Sequence, residues 1–286
     1  MMKDIAQHYD RIAGRREEYL KKNRYYYSLL YKEYRYFVPP RQKVLEVGCG
    51  AGDLLNALDP SVGVGIDVSG GMVGAARLKF PNLRFHEGTV SDFKSEDKFD
   101  YILISGLLGE LEDIQQFFSD LRKFCHPHTR IIIEYYSYVW QYILKFGETL
   151  GLKMPQKIQN WITYHDICNF LALTGYQPIK TQRSFLLPKK IPVVSHVVNR
   201  YVANLPVFNA LTLNHFVIAR PVFDSARDFS VTILVPCRNE KGNIESAITR
   251  TPAFGTRQEF IFVEGGSKDG TYEEVERVIK KYPQKN

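Results

Sequence analysis

Apolar residues come in short bursts along this chain, and the bursts alternate with stretches whose apolar positions recur at helical spacing. Val44–Val47, Gly63–Val68, Leu83–His86, Phe99–Ser105 (FDYILIS) and Arg130–Tyr136 (RIIIEYY) are apolar runs, most of them rich in β-branched or aromatic side chains, and they predict five strands. Between them, helices are predicted through Leu54, Leu55 and Leu58, over Met72–Phe80 and over Ile114–Phe124. Residues 3–37 read as helical, with Ile5, Tyr9, Ile12 and Ala13 on one face. Pro39-Pro40 ends that segment, since proline lacks the N–H and the freedom a helix needs. Thr163 is placed to cap a helix through Leu173, closed by Gly175, and residues 178–187 and 211–219 read as two further strands. This alternation predicts an α/β fold with a mostly parallel sheet covered by helices on both faces. After a linker-like stretch from Pro221 to Asp228, a second strand–helix–strand–helix run starts at Val231.

Composition changes that picture little. With 44% hydrophobic and 24% charged residues, the 286-residue chain reads as globular. Cys49, Cys125, Cys168 and Cys237 are far apart, with no CxxC pair and no His at ligand spacing. That pattern predicts neither a disulfide framework nor a metal site, and it suits a reducing cytoplasm. The charged first twenty residues do not form a signal peptide, and no apolar run is long enough for a transmembrane helix.

Charge is more informative than composition. Of the net +7, residues 1–43 supply eleven Lys/Arg against five Asp/Glu, and Ile167–Phe223 carries six Lys/Arg with no acid. Solvated helix faces account for such segments, and so does an anionic partner near them. The stretch PKKIPVVSHVVNRYVANLPVF sets apolar residues beside Lys189, Lys190 and Arg200. It suits either a surface lying on anionic headgroups at the inner face of a membrane or a lid over an acceptor pocket.

The most specific pattern is Glu46-Val-Gly48-Cys49-Gly50-Ala-Gly52, directly after the strand KVLEV. Glycine at every second position lets the main chain take left-handed torsions and lets a ligand lie against bare backbone at a helix start. A dinucleotide loop would read GxGxxG. The GxGxG spacing with a preceding acid suits a ligand that carries ammonium and sulfonium charge and no phosphate. Asp67 ends the second strand nineteen residues past Gly48, where a carboxylate can accept ribose hydroxyls.

On VLEVGCGAGDLL and VGVGIDVSGGMVGAAR, residues 1–222 resemble the class I S-adenosylmethionine-dependent methyltransferases. The resemblance implies a Rossmann-like sheet whose last strand is antiparallel, and S-adenosyl-L-methionine as cofactor. It places Glu46, Gly48, Cys49, Gly50 and Gly52 under the methionine moiety, Asp67 on the ribose and Val68 on the adenine. Gly88-Thr89 stands where the family usually has Gly-Asp as its third motif, with Val90 next in the lining, so Asp92 is a substitute acid there. Ser105, at the end of the fourth strand, joins this lining, SGLLGELED follows it, and Tyr9 folds over the cofactor as tyrosines of N-terminal helices do in related enzymes.

Methyl transfer needs alignment, and a base only when the acceptor must lose a proton. Glu110 and Tyr135 are the candidates, with Tyr136 beside them and His165 weaker. The aromatic–basic stretch KKNRYYYSLLYKEYRYF raises RNA methylation as an alternative, but helical packing explains the same spacing, so nucleic acid is not the expected partner. A small-molecule, sugar or lipid-linked glycan acceptor is.

Residues 229–286 resemble the opening of family-2 glycosyltransferases, whose catalytic domain has the A-type fold. Pro236-Cys-Arg-Asn239-Glu240 matches the family's P-x-x-N-E, and Glu264-Gly-Gly-Ser267-Lys-Asp269-Gly270-Thr271 stands at its D-D-G-S-x-D-G-T. Pro236, Asn239, Glu240 and Glu264 would then belong to an incomplete nucleotide-sugar site lacking the metal-binding Asp-x-Asp. The expected organisation is a methyltransferase domain over 1–222, a linker over 223–228 and a truncated glycosyltransferase β-α-β-α fragment over 229–286. The alternative function is a non-catalytic, cofactor-binding scaffold for a glycosyltransferase.

Overall fold

The computed structural model describes residues 2–156, 160–223, 230–253 and 257–283. Beyond Phe223, the expected linker lies outside the described residues. The chain divides into two compact units, Met1–Phe223 and Asp224–Asn286.

The first unit opens with α1 (Met2–Ala13), α2 (Arg16–Lys22) and α3 (Arg24–Phe37). The single helix expected over 3–37 is therefore broken twice. One break falls at Gly14-Arg15. The other falls at Asn23, whose side-chain amide donates to the Tyr19 carbonyl at 3.1 Å and so competes with the helical ladder. Then follow β1 (Lys43–Val47), α4 (Asp53–Ala57), β2 (Val62–Asp67), α5 (Gly70–Lys79), β3 (Arg84–Glu87), β4 (Tyr101–Ser105), α6 (Ile114–Leu121) and β5 (Arg130–Tyr136). The unit closes with α7 (Gln141–Thr149), α8 (Tyr164–Leu173), β6 (Tyr176–Ser184), α9 (Val194–Arg200), α10 (Pro206–Asn209) and β7 (Asn214–Pro221). Thr163 caps α8 in a reciprocal capping box with Asp166, so the sequence signal for that helix start is met on both sides.

The seven strands run in the order β3-β2-β1-β4-β5-β7-β6. β1 to β5 are parallel, and β7 is antiparallel to both β5 and β6. Buried on both faces, the central strands read as nearly continuous apolar runs. Leu45, Ile102, Ile104, Ile131 and Ile133 enter one core layer with Phe118 and Phe124 of the α6 side. Val44, Leu103 and Ile132 enter the other, against Tyr26, Leu30 and Tyr34 of α3. The clustered tyrosines of α3 thus serve packing, with Tyr34 fully buried.

The second unit pairs β8 (Ser230–Cys237) with β9 (Arg257–Glu264) in parallel, with α11 (Ile244–Thr249) and α12 (Thr271–Lys281) on one face. Its core is Cys237, Ile244, Ile248, Phe260, Val275 and Val278. No helix among the described residues is long and apolar enough to cross a membrane.

Candidate active site

A cavity of about 760 Å³ opens in the first unit at the carboxyl ends of the parallel strands. Its inner end is the loop between β1 and α4. Gly48, Gly50 and Gly52 all have positive φ, at 74°, 51° and 79°. The loop is held by bonds from Gly48 N and Cys49 N to the Ile66 carbonyl, 2.8 and 3.1 Å. Asp67 completes the clamp: Oδ2 accepts from Gly50 N at 2.8 Å and Oδ1 from Ser69 N at 2.9 Å. The carboxylate expected for ribose hydroxyls therefore also shapes the loop. Burial raises its pKa, while the two backbone donors oppose that shift.

Glu46 lines the cavity, yet its Oε2 accepts from Leu55 N at 3.0 Å and so caps the short helix α4. Burial pushes its pKa well up. Cys49, Val68, Thr89, Val90 and Ser105 also line the cavity, as do Gly48 and Gly50. Gly52 does not: a Cβ there would stand 2.6 Å from Phe85 Cζ, so this glycine serves packing. Asp92 is likewise absent from the cavity lining. It is exposed, and its Oδ2 accepts from Thr89 N and Oγ1, at 3.1 and 2.7 Å.

A roof covers the inner end. Asp10 of α1 accepts from Ser69 Oγ and Gly71 N, at 2.6 and 2.8 Å, which pins α1 to the start of α5. Ile5 and Tyr9 then face the cavity, and the Tyr9 phenol donates to Glu110 Oε1. Gln156 Nε2 donates to the same oxygen at 3.1 Å, so residues 152–156 join the roof. Glu110 is buried in a 3₁₀ turn after β4, and its burial raises its pKa despite these two donors.

Strand alternation decides between the two tyrosines of β5. Tyr136 lines the cavity, with its hydroxyl 3.4 Å from that of Tyr26. Tyr135 points to the opposite face, edge-on to His215, and burial raises it to about 12. It is not placed for catalysis, and neither is the exposed His165, whose ring stacks on Tyr164. In place of Tyr135 the structure brings in Glu134. Its carboxyl is buried at the cavity wall, accepts from Ser105 Oγ at 2.9 Å and from Asn214 Nδ2, and is pushed up to about 7 by burial against those bonds. An acid inside the strand RIIIEYY was the available signal, since a carboxyl in a two-sided buried strand needs partners.

Among the described residues, two buried polar atoms on cavity-lining side chains lack partners: Nε of Arg16 and Oδ2 of Asp53. They offer one donor and one acceptor to the amino-acid end of a ligand, and space is open beside Gly50. The residues present therefore fit S-adenosylmethionine, with Gly48–Gly50 beneath it and Asp67 at the strand end. Farther out, the cavity is lined by Trp140, Ile143, Phe146, Leu187, Pro188 and Lys189, so the basic–apolar stretch does border this space.

Residues 44–128 match the model of a methyltransferase domain family. The demethylmenaquinone methyltransferase of Chlorobaculum parvum is 30% identical over 89 residues, a stretch that covers 30% of this chain and 37% of that relative. Among solved structures, a SAM-dependent methyltransferase of Thermotoga maritima superposes with a TM-score of 0.59 at 14% identity, covering 76% of this chain and 99% of the other. A chain of the complex between the Haloferax volcanii Trm112 methyltransferase activator and a methyltransferase gives 0.56 at 16% identity, with 75% and 98% covered. At such identities these two likenesses speak for the fold. Residues 44–128 are thus similar to methyltransferase domains, and the site built on them has room and polar groups that suit S-adenosylmethionine.

In the second unit, the loops after β8 and β9 interlock. Asn239 N donates to Ser267 Oγ at 2.8 Å, Lys268 N to Asn239 Oδ1 at 3.0 Å and Glu240 N to Thr271 Oγ1 at 2.9 Å. Glu264 accepts from Gly266 N and Ser267 N of its own loop, at 2.9 and 2.6 Å, and Pro236 is exposed at the end of β8. Both Glu264 oxygens are thus engaged in shaping the turn.

Proposed function

We propose that this protein transfers a methyl group from S-adenosylmethionine to a small-molecule, sugar or lipid-linked glycan acceptor. The carrying observation is one continuous cavity: it runs from the glycine loop and Asp67, past Glu110 and Glu134, to an apolar mouth, which is room for a cofactor and a second molecule. When bound, S-adenosylmethionine supplies an activated methyl on a sulfonium, open to in-line displacement. The chain's own part is alignment. The glycine loop and Asp67 hold the cofactor end, while Tyr9 and α1 exclude water from above.

Glu134 takes the proton lost by a hydroxyl or amine acceptor as the new bond to the methyl carbon forms. Its raised pKa keeps it a competent acceptor near neutral pH. The glycan reading rests on the second unit, where the family-2-like loops at Asn239–Glu240 and Glu264–Thr271 lie side by side. In this reading the chain is the methyltransferase part of a methyltransferase–glycosyltransferase fusion. The test is calorimetric titration with S-adenosylmethionine, followed by assay of methyl transfer to free and lipid-linked sugars. No heat of binding to folded protein would sink the proposal; binding with turnover confined to non-glycan acceptors would remove its glycan half.

A further inference from the structure

Large apolar side chains point to solvent on two segments of the first unit that also contribute to the cavity lining. Around α7, Tyr142 and Phe146 are 77% and 65% exposed, and between β6 and β7, Val193 and Val207 are 78% and 73% exposed. A helix on an ordinary protein surface turns such residues inward and presents polar ones outward. α7 does the reverse over Tyr142, Ile143 and Phe146. Exposed large apolar side chains gathered on neighbouring segments mark an interaction surface.

The two segments form one collar because they are tied at both ends. Trp140 Nε1 donates to the Leu211 carbonyl at 2.8 Å. At the other end, Asn23 Nδ2 donates to the Leu152 carbonyl and Asn23 Oδ1 accepts from Lys189 Nζ, both at 2.8 Å.

Charge selects the occupant. Across residues 138–153 and 186–211 the cations are Lys145, Lys153, Lys189, Lys190 and Arg200, and the acid is Glu148, which pairs with Lys153. Lys145, Lys190 and Arg200 are exposed on the same segments as these apolar side chains. Apolar side chains that enter the acyl boundary, rimmed by cations at headgroup level, are what an anionic bilayer surface binds. A second copy of the chain fits poorly, since a two-fold interface would set this cationic rim against itself.

We propose that the collar docks on an anionic lipid bilayer, so that the cavity mouth opens onto the membrane surface and takes its acceptor from there. This names the source of the acceptor and rests on the methyltransferase reading of the cavity.

The test is co-sedimentation of the full chain with phosphatidylcholine vesicles, with and without phosphatidylglycerol. Binding is expected only with phosphatidylglycerol, and it should weaken as salt rises. Tyr142→Glu combined with Val207→Glu should abolish it, and Lys190→Glu with Arg200→Glu should reduce it by roughly tenfold or more. All four positions lie outside the cavity lining, so these variants should bind S-adenosylmethionine with unchanged heat. Absence of vesicle binding overturns the proposal, as does equal binding to both vesicle types. Self-association that the same substitutions abolish, without vesicle binding, also overturns it and makes the collar a dimer surface. Cofactor binding without vesicle binding sinks the docking alone. Vesicle binding without cofactor binding sinks the methyltransferase reading instead.

Discussion

The phenol of Tyr9 donates to Oε1 of Glu110, joining the N-terminal helix to the turn after β4 across the roof of the cavity. Gln156 reaches the same carboxylate, so three distant segments meet at one oxygen. Tyr9→Phe should keep the fold and weaken S-adenosylmethionine binding by roughly five- to tenfold, the worth of about 1 kcal/mol for one such bond. Titration calorimetry on wild type and variant measures it. Equal affinity would mean that α1 does not cover the cofactor.

Asp67 holds Gly50 N and Ser69 N at the end of β2, and in the proposed function it accepts the ribose hydroxyls. Asp67→Ala should cost about 1–3 kcal/mol in cofactor binding, because both the loop and the ligand hydroxyls lose their acceptor. Asp67→Asn, which keeps one acceptor oxygen, should lie between the alanine variant and wild type in the same titration. If asparagine binds as weakly as alanine, charge rather than hydrogen bonding dominates at this position.

Glu134 titrates upward, from an ordinary 4.5 to about 7 in the folded protein. The folded state therefore holds this proton more tightly than the unfolded chain does. Its protonation stabilises the fold fully below about pH 4.5, and that contribution is lost as pH rises to about 7. Glu134→Gln should flatten the loss over this window by on the order of 2–3 kcal/mol, read from urea unfolding at several pH values. The same substitution should remove the rise in methyl-transfer rate with an apparent pKa near 7. A variant with the wild-type pH profile for turnover would exclude Glu134 as proton acceptor.

At Gly52 a side chain meets two obstacles, a φ of 79° and the ring of Phe85 at 2.6 Å from the new Cβ. Gly52→Ala should lower the unfolding free energy by about 2 kcal/mol or more. Gly74→Ala is the comparison, since nothing lies within 4 Å of a Cβ there and the residue is inside α5. Denaturant midpoints separate the two: only the first should fall.

Tyr135→Phe should leave cofactor affinity and turnover unchanged, because its ring packs on His215 away from the cavity. Tyr136→Phe removes a hydroxyl that lines the cavity and should alter acceptor KM. An effect confined to Tyr135 would contradict the strand's observed facing.

The glycine loop and its pairing with Asp67 were legible because their determinants are local. Glycines at alternate positions have a conformational cause, and Asp67 follows from where β2 must end. β1, β2, β4 and β5 announced themselves as doubly buried apolar runs, while the edge strand β3 buries only Phe85. Glu134, Asn214, Arg16 and Gln156 were not legible, because each acquires its role through partners that lie far away in sequence. Glu134 and Tyr135 are neighbours in β5, and only the pairing of β5 with its neighbours decides which of them faces the cavity. Asn23 broke a helix that apolar spacing alone would have continued, since its amide competes with the backbone.

The reversal of β7 brings the two ends of a long excursion together. Because β6 ends at Ser184 and β7 begins at Asn214 directly opposite it, the whole excursion 185–213 starts and finishes at one point of the rim. Substitutions at its exposed positions, Val193 and Val207 among them, therefore leave the Ser184–Asn214 pairing and the clamp formed by Gly50 and Asp67 in place.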